Sequence, residues 1–457
     1  MNKSIGIGFI SRILAVGSNL IIMPVILHIL TPQQFSLWML FISFYSCIII
    51  LDFGFSATTS RFYSYIDSGA SKLALIKAHL RKEISKKNTH NAQHIDQRLY
   101  NALDKINSHI FSFITIIATF FFSIVYLIYI YVLNHPLNIE EKLSWFIFSL
   151  SIVILIYSLK FNGLLHGSGN VSYIYQSNII SNLSFLLLSI IFLYFDFKIL
   201  GLCLARLASS IIYFLVIFNY NKKTLLQKKI KKEKSIDLLL NKIILASALK
   251  LGFGSIGNFL ANRTTIFILT ALFPLSTIAG DTFVINICIT LLSISLIINN
   301  NYLPKMSNCR MMNDHQGLII LIKENFIKSI ITYLILFLIF YTLAPLALNL
   351  INSKTELPNS NIILMLGFIF FCELIQSVSI SVLTTNNQLN FSKYQIVFGF
   401  MFIASVFIFY FLFKDKLSVL SILLLQLSIQ LIFNNWYWFF RVFKDVKELR
   451  VNSHEKV

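Results

Sequence analysis

Runs of about twenty apolar residues recur along this chain from one end to the other. The hydrocarbon core of a bilayer is about 30 Å thick, and an α-helix rises about 1.5 Å per residue, so each run is long enough for one crossing. No water is present there to satisfy a free N–H or C=O, so each run must fold as a helix or belong to a closed barrel. The runs are too long and too evenly apolar for barrel strands, which are short and alternate. Twelve spans are expected, near 5–30, 36–56, 110–133, 143–165, 172–194, 199–218, 249–273, 281–298, 327–351, 361–383, 394–413 and 418–440. Of the 457 residues only 12% are charged, against roughly 25% in soluble domains. The sequence therefore predicts an all-α membrane protein. The first run exceeds a signal-peptide core and is followed by no small-residue cleavage site, so it is read as the first span.

Lysine and arginine set the expected orientation. Nine fall between Arg61 and Lys105, eight between Lys222 and Lys242, and five between Arg441 and Lys456. The opposite side has Lys142, Lys198, Lys354, Lys414 and Lys416. Both termini and the basic loops are thus expected in the cytoplasm. The formal charge of +19 is then mostly topological. The Lys228–Lys234 run lacks interleaved aromatics, which argues against nucleic acid and for anionic lipid headgroups. No segment outside the spans is large enough for a soluble catalytic domain; the longest, about 62–109, is polar and expected to hold an amphipathic helix.

The basic loop at 219–248 divides the chain into a lobe at 1–218 and a lobe at 249–440, followed by a tail at 441–457. Six spans per half is an even number, so both halves start from the same side, as a parallel repeat related by a pseudo-two-fold axis along the membrane normal. Leu30-Thr31-Pro32 closes span one and Leu272-Phe273-Pro274 closes span seven; each proline is expected to end its helix.

Several short motifs carry no chemistry. Gly252 to Gly257 spells GxGxxG but opens a span, without a preceding strand or a following acid. Asp52-Phe53-Gly54 lacks every other kinase signature. There is no GxxxxGK[ST], HExxH or GxSxG, and the five cysteines form no CxxC pair. Neither a cofactor nor a metal is expected, and the chain does not read as an enzyme.

Function is expected at charges inside the spans, each costing about 2.5–3.5 kcal/mol on insertion scales. Arg263 lies deepest, about mid-membrane in span seven, beside Asn258 and Asn262. Arg12 lies in span one with Asn19 nearby, and Arg206 in span six. These six are the candidate lining of a hydrophilic cavity. Asp52 at the inner end of span two and Glu373 in span ten are the candidate coupling or gating acids. More arginine than carboxylate favours an anionic substrate, because a guanidinium grips phosphate in a fixed fork and stays charged.

The stretch Leu30-Thr31-Pro32-Gln33-Gln34-Phe35-Ser36-Leu37-Trp38, then Leu51-Asp52-Phe53-Gly54-Phe55-Ser56 and Arg61, resembles the Wzx-type polysaccharide and O-antigen flippases of the multidrug/oligosaccharidyl-lipid/polysaccharide exporter superfamily. These typically carry a Leu-Gly-Pro-Glu-Glu-Phe-Gly-Leu-Tyr-like turn after span one and a Leu-Asp-Leu-Gly-like end of span two. The resemblance implies transfer of an undecaprenyl-diphosphate-linked oligosaccharide across a bacterial inner membrane by alternating access, for surface polysaccharide synthesis. It also implies partnership with a polysaccharide polymerase and a chain-length regulator. The turn departs from the pattern at Thr31 and at Gln33-Gln34, and Asn262-Arg263 stands where many members place an acid beside a base. The alternatives are a cation-coupled drug antiporter, which would need a deep carboxylate in span one or seven, and a membrane polymerase or lipid-sugar transferase, which usually needs a large outer loop. A major-facilitator carrier is also disfavoured, since the segment from Asp52 to Arg61 matches its loop motif poorly.

Overall fold

The computed structural model describes residues 3–46, 48, 52, 54–67, 97–132, 137–228, 238–312, 314–385 and 391–454. Among them every regular element is helical. The helices are α1 (Lys3–Ile29), α2 (Pro32–Tyr45), α3 (Phe55–Asp67), α4 (Gln97–Leu127, running on as a π segment to Val132), α5 (Ile139–Ser158), α6 (Lys160–Gly167), α7 (Val171–Tyr194) and α8 (Lys198–Gln227). The second half supplies α9 (Leu238–Leu272), α10 (Ala279–Met311), α11 (His315–Leu350), α12 (Ser360–Thr384), α13 (Phe391–Leu412), α14 (Val419–Ile429) and α15 (Trp436–His454). Nine described stretches are long and apolar enough to cross a membrane, and α1 and α9 add the apolar segments Gly17–Ile29 and Arg263–Leu272. With α2, the multi-pass all-helical architecture follows.

The prolines act as expected. Helix α1 stops at Ile29 and α2 starts on Pro32, while α9 stops at Leu272, two residues before Pro274. A proline at a helix's first position gives up an N–H that has no partner anyway. Thr31 and Gln34 reinforce this start: the Thr31 hydroxyl accepts from the Gln34 amide at 3.3 Å, and the Gln34 side chain accepts from the Thr31 amide at 3.4 Å.

Span three ends in the π segment Ile128–Val132, and three further spans differ from single straight helices. Span two begins at Pro32, four residues earlier than expected, and Gly54 takes a positive φ of 73° just before α3. Span four breaks at Leu159 between α5 and α6. Span twelve contains a π stretch, Gln430–Asn435, between α14 and α15. Within the expected linker at 219–248, α8 runs on to Gln227 and α9 begins at Leu238. Lysines placed past the hydrocarbon do not interrupt a helix, since they lose little backbone or rotamer freedom there.

The chain forms two compact units. One comprises residues 1–30 and 44–255, the other 31–43 and 256–457. The unit boundaries differ from the sequence halves at 31–43. Within the second unit the Ser36 hydroxyl donates to the Leu275 carbonyl at 2.5 Å, and Phe35 meets Phe283 edge-on at 6.1 Å. In the first unit α8 packs on α5 and α7, α7 on α1, and α3 on α6. That last pairing depends on small residues. A Cβ added to Gly163 would stand 2.2 Å from the Thr59 hydroxyl, and one added to Gly167 would stand 2.5 Å from the Ser60 carbonyl. Lipid tails are as apolar as leucine, so close backbone approach of this kind replaces hydrophobic exclusion as the packing force. In the second unit α10 packs on α11 and α12, and α15 closes against α11 and α12 around Met306, Leu318, Val382 and Trp438. Outward faces carry residues such as Phe120, Phe146, Leu338 and Phe400, all more than half exposed; such a surface suits lipid and not water.

Candidate functional site

Arg206 lies on α8 inside the first unit, 7% exposed. Its guanidinium carbon sits 3.9 Å from the Phe185 ring centroid and 5.0 Å from that of Tyr45. No carboxylate pairs with it among the described residues, and its Nε is buried without an acceptor. The next turn is serine-rich, but Ser209 and Ser210 both donate to the Arg206 carbonyl, at 2.8 Å. Among the described residues the charge is thus held by aromatic faces, an arrangement worth about 2 kcal/mol or more when desolvated against a burial penalty of several kcal/mol.

Arg263 lies on α9 in the second unit, half-buried, and its Nη1 donates to the Asn286 side-chain oxygen of α10 at 3.3 Å. Asn286 is itself anchored by donating to the Thr282 carbonyl at 2.9 Å. Two residues on, Thr265 donates to the Gln426 side chain of α14 at 2.8 Å. Gln426 and Gln430 are four apart and so share a face. Gln430, the first residue of the π stretch, donates to Glu373 of α12 and to the Ile369 carbonyl, both at 3.4 Å. The Glu373 side chain is buried, its second oxygen has no partner, and no cation pairs with it among the described residues. A polar seam therefore runs from α9 through α14 to α12.

Asp52 makes short local bonds, accepting from the Ser56 amide at 3.2 Å and the Ser56 hydroxyl at 2.5 Å. It braces the turn that Gly54 opens. Asn19 donates to the Ala15 carbonyl one turn back, at 3.3 Å. The side chains of Arg12, Asn258 and Asn262 lie outside the described residues. The candidates therefore divide between the units: Asn19, Asp52 and Arg206 in the first, Arg263 and Glu373 in the second. The partner of Glu373 is an amide, not an arginine.

Asn286, Gln426 and Gln430 escape a search for charges, although the Gln426–Gln430 spacing is visible in the sequence. Asp281 escapes it too, because it falls at a span boundary. It is buried in the first turn of α10 with one oxygen unpartnered among the described residues. No group of acidic, histidine or cysteine side chains among the described residues could hold a metal ion.

No protein-family model matches the chain, and no curated protein matches it in sequence. Solved structures do match. An inward-facing multidrug resistance MATE family transporter of the MOP superfamily aligns over 97% of this chain and 96% of its own, with a TM-score of 0.65 and 13% identity. The chain has the fold of the MOP superfamily transporters. A MOP superfamily transporter from Pyrococcus furiosus, described as having a binding pocket of reverse polarity, aligns over 98% and 95% with a TM-score of 0.56 and 15% identity. A MATE structure in the bent conformation aligns over 99% and 96% with a TM-score of 0.54 and 14% identity.

Proposed function

We propose that this protein is an alternating-access flippase. It moves an undecaprenyl-diphosphate-linked oligosaccharide from the inner to the outer leaflet of a bacterial inner membrane, for surface polysaccharide synthesis. Both termini lie in the cytoplasm, and a polysaccharide polymerase and a chain-length regulator are the expected partners. The observation that carries this reading is the setting of Arg206 and Arg263. Each guanidinium lies within an apolar span, against aromatic faces in one case and a neutral amide in the other. Permanent positive charge kept inside spans fits an anionic diphosphate better than a cationic drug. Arg263 grips the diphosphate, and Asn258 and Asn262 on the same helix offer hydrogen bonds to sugar hydroxyls. The polyprenyl tail stays in lipid.

Glu373 supplies the coupling in this scheme. A buried carboxylate with an amide partner and no described cation is costly when ionised, so it takes up a proton or a cation on one side and releases it on the other. Asp52 braces the turn at the inner end of span two.

The same carboxylate favours one competing reading, a cation-coupled drug antiporter, and the solved structures include multidrug resistance transporters of this fold. The two readings separate on Arg263→Ala. The flippase reading expects lipid-linked repeat-unit transfer to fall at least a hundredfold with protein abundance unchanged, while Arg263→Lys retains part of it because the charge survives and the fork does not. Undiminished surface polysaccharide in Arg263→Ala, together with drug efflux by the purified protein in vesicles, replaces the first reading with the second.

A further inference from the structure

A second polar site lies in the first unit, away from Arg206. A cleft of about 570 Å³ opens between the start of α4, the α5–α6 break and the end of α8. The sequence runs from these ends of α4 and α8 into its basic segments. Two lysines line it, Lys160 and Lys222, with one acid, Asp104. The Lys160 ammonium lies 3.6 Å from the Tyr157 ring centroid. Asp104 accepts from the Tyr63 hydroxyl at 3.5 Å. The neighbouring Lys228 is taken by Asp67. The lining thus carries a net charge of about +1, the complement of one phosphodiester.

The walls add two further properties. Three polar atoms, the Tyr100 hydroxyl and the side-chain oxygens of Asn107 and Asn221, are buried in the lining without a hydrogen-bond partner among the described residues. The Asn107 amide donates to the Lys160 carbonyl at 2.7 Å, which fixes its oxygen as the group left over. Buried acceptors of this kind cost about 1–3 kcal/mol each until a donor reaches them. The outer lip is apolar: Phe214 and Phe218 stack at 6.1 Å, and Phe218 and Leu226 are 43% and 68% exposed.

We propose that this cleft binds the headgroup of an anionic glycerophospholipid with free hydroxyls, of the phosphatidylglycerol type, from the leaflet at the basic end. The phosphodiester lies with Lys160 and Lys222, the headgroup hydroxyls supply donors to Asn107 and Asn221, and an acyl chain follows Phe214, Phe218 and Leu226. The site is separate from the transport reading and does not rest on it.

The test is retention of added lipid by the detergent-solubilised full chain, followed by native mass spectrometry. Phosphatidylglycerol is compared with phosphatidylethanolamine, with phosphatidylmethanol (the same charge without the hydroxyls) and with free glycerol 3-phosphate as competitor. One basic residue near a membrane surface contributes about 1 kcal/mol, so Lys222→Gln weakens phosphatidylglycerol retention roughly fivefold. Lys160→Gln with Lys222→Gln weakens it about 25-fold. Lys223→Gln changes nothing, because Lys223 lies over Tyr173, 5.7 Å from its ring. Asn221→Leu removes the preference for phosphatidylglycerol over phosphatidylmethanol. Wild-type retention in the double lysine variant overturns the site. A loss in Lys223→Gln equal to that in Lys222→Gln reduces it to diffuse surface charge, and displacement by equimolar glycerol 3-phosphate reassigns it to a soluble phosphate. Phosphatidylmethanol bound as tightly as phosphatidylglycerol by the wild type removes the hydroxyl recognition.

Discussion

Replacing Arg206 with Met separates stability from function. The wild-type guanidinium is almost fully buried, stacked 3.9 Å from Phe185 and 5.0 Å from Tyr45. Withdrawing a charge from water costs several kcal/mol after relaxation. The closer ring returns about 2 kcal/mol and the more distant one less, so roughly 3 kcal/mol comes back. Methionine carries no charge and adapts its shape to an irregular space, with a repacking cost below about 1.5 kcal/mol. The arithmetic leaves Arg206→Met no less stable than the wild type, and about 1 kcal/mol more stable at the centre of these ranges. Phe185→Leu supplies the control. Made alone it loses about 2 kcal/mol of ring–cation attraction as well as some packing; made in Arg206→Met it loses the packing only, so the double-mutant cycle shows a coupling of about 2 kcal/mol. Equilibrium unfolding of the micellar protein by SDS, followed by tryptophan fluorescence, measures all four proteins, and transfer of lipid-linked sugar measures function in parallel. The expected pattern is retained stability with impaired transfer. A loss of 3 kcal/mol or more in Arg206→Met, the size seen when one member of a buried pair is removed, would refute the idea of a charge held for function at the expense of stability.

Three further outcomes follow from particular contacts. Gly167→Ala drives a methyl group to within 2.5 Å of the Ser60 carbonyl and of the Tyr63 Cβ, so α3 and α6 must part; a loss of 1–3 kcal/mol in the same SDS titration is expected, whereas Gly17→Ala, with open space around it, is neutral. Arg310, at the end of α10, pairs with Asp445 of α15 and donates to the hydroxyl of Thr385, just past α12, at 2.6 Å, with both charged side chains nearly buried; Asp445→Ala strands that charge and lowers stability by about 3–5 kcal/mol, while the apolar pair Arg310→Met with Asp445→Leu recovers most of it. Glu373→Gln keeps the hydrogen bond to Gln430 but removes ionisation, so substrate binding persists while transport ceases to respond to an imposed ion gradient in proteoliposomes; an unchanged gradient response removes Glu373 from the coupling role.

The architecture was legible because each span is a long apolar run, and solvent alone dictates what such a run must do. Even the helix ends at Ile29 and Leu272 were marked, by Pro32 and Pro274. The polar interior was legible where it is charged and at the asparagines Asn19, Asn258 and Asn262 beside those charges. Arg206, Arg263 and Glu373 stand out in apolar surroundings, yet their partners are Phe185, Asn286 and Gln430, residue types common in any span. A composition search gives them no weight. The break at Leu159 and the π stretch after Ile429 carry no punctuating glycine or proline at all, and both arise from how neighbouring helices pack. The grouping of residues 31–43 with the second unit is likewise a tertiary outcome, which the position of the basic linker could not reveal.

The π stretch at Gln430–Asn435 has a consequence for how this last span tolerates change. A π turn holds one residue more than an α turn, and one residue of an α-helix is a rotation of about 100°. The stretch therefore absorbs one extra residue without turning the segments on either side of it. Upstream, the phase is set by Gln426 and Gln430 facing Thr265 and Glu373; downstream, it is set by Trp438, Val442 and Leu449 in the packed cluster. Deleting any single residue from 431 to 435 would leave the span's apolarity, charge and approximate length intact. Both faces would also keep their partners, because a π turn short of one residue becomes an ordinary α turn, so the span tolerates here a deletion that its hydropathy profile gives no reason to expect.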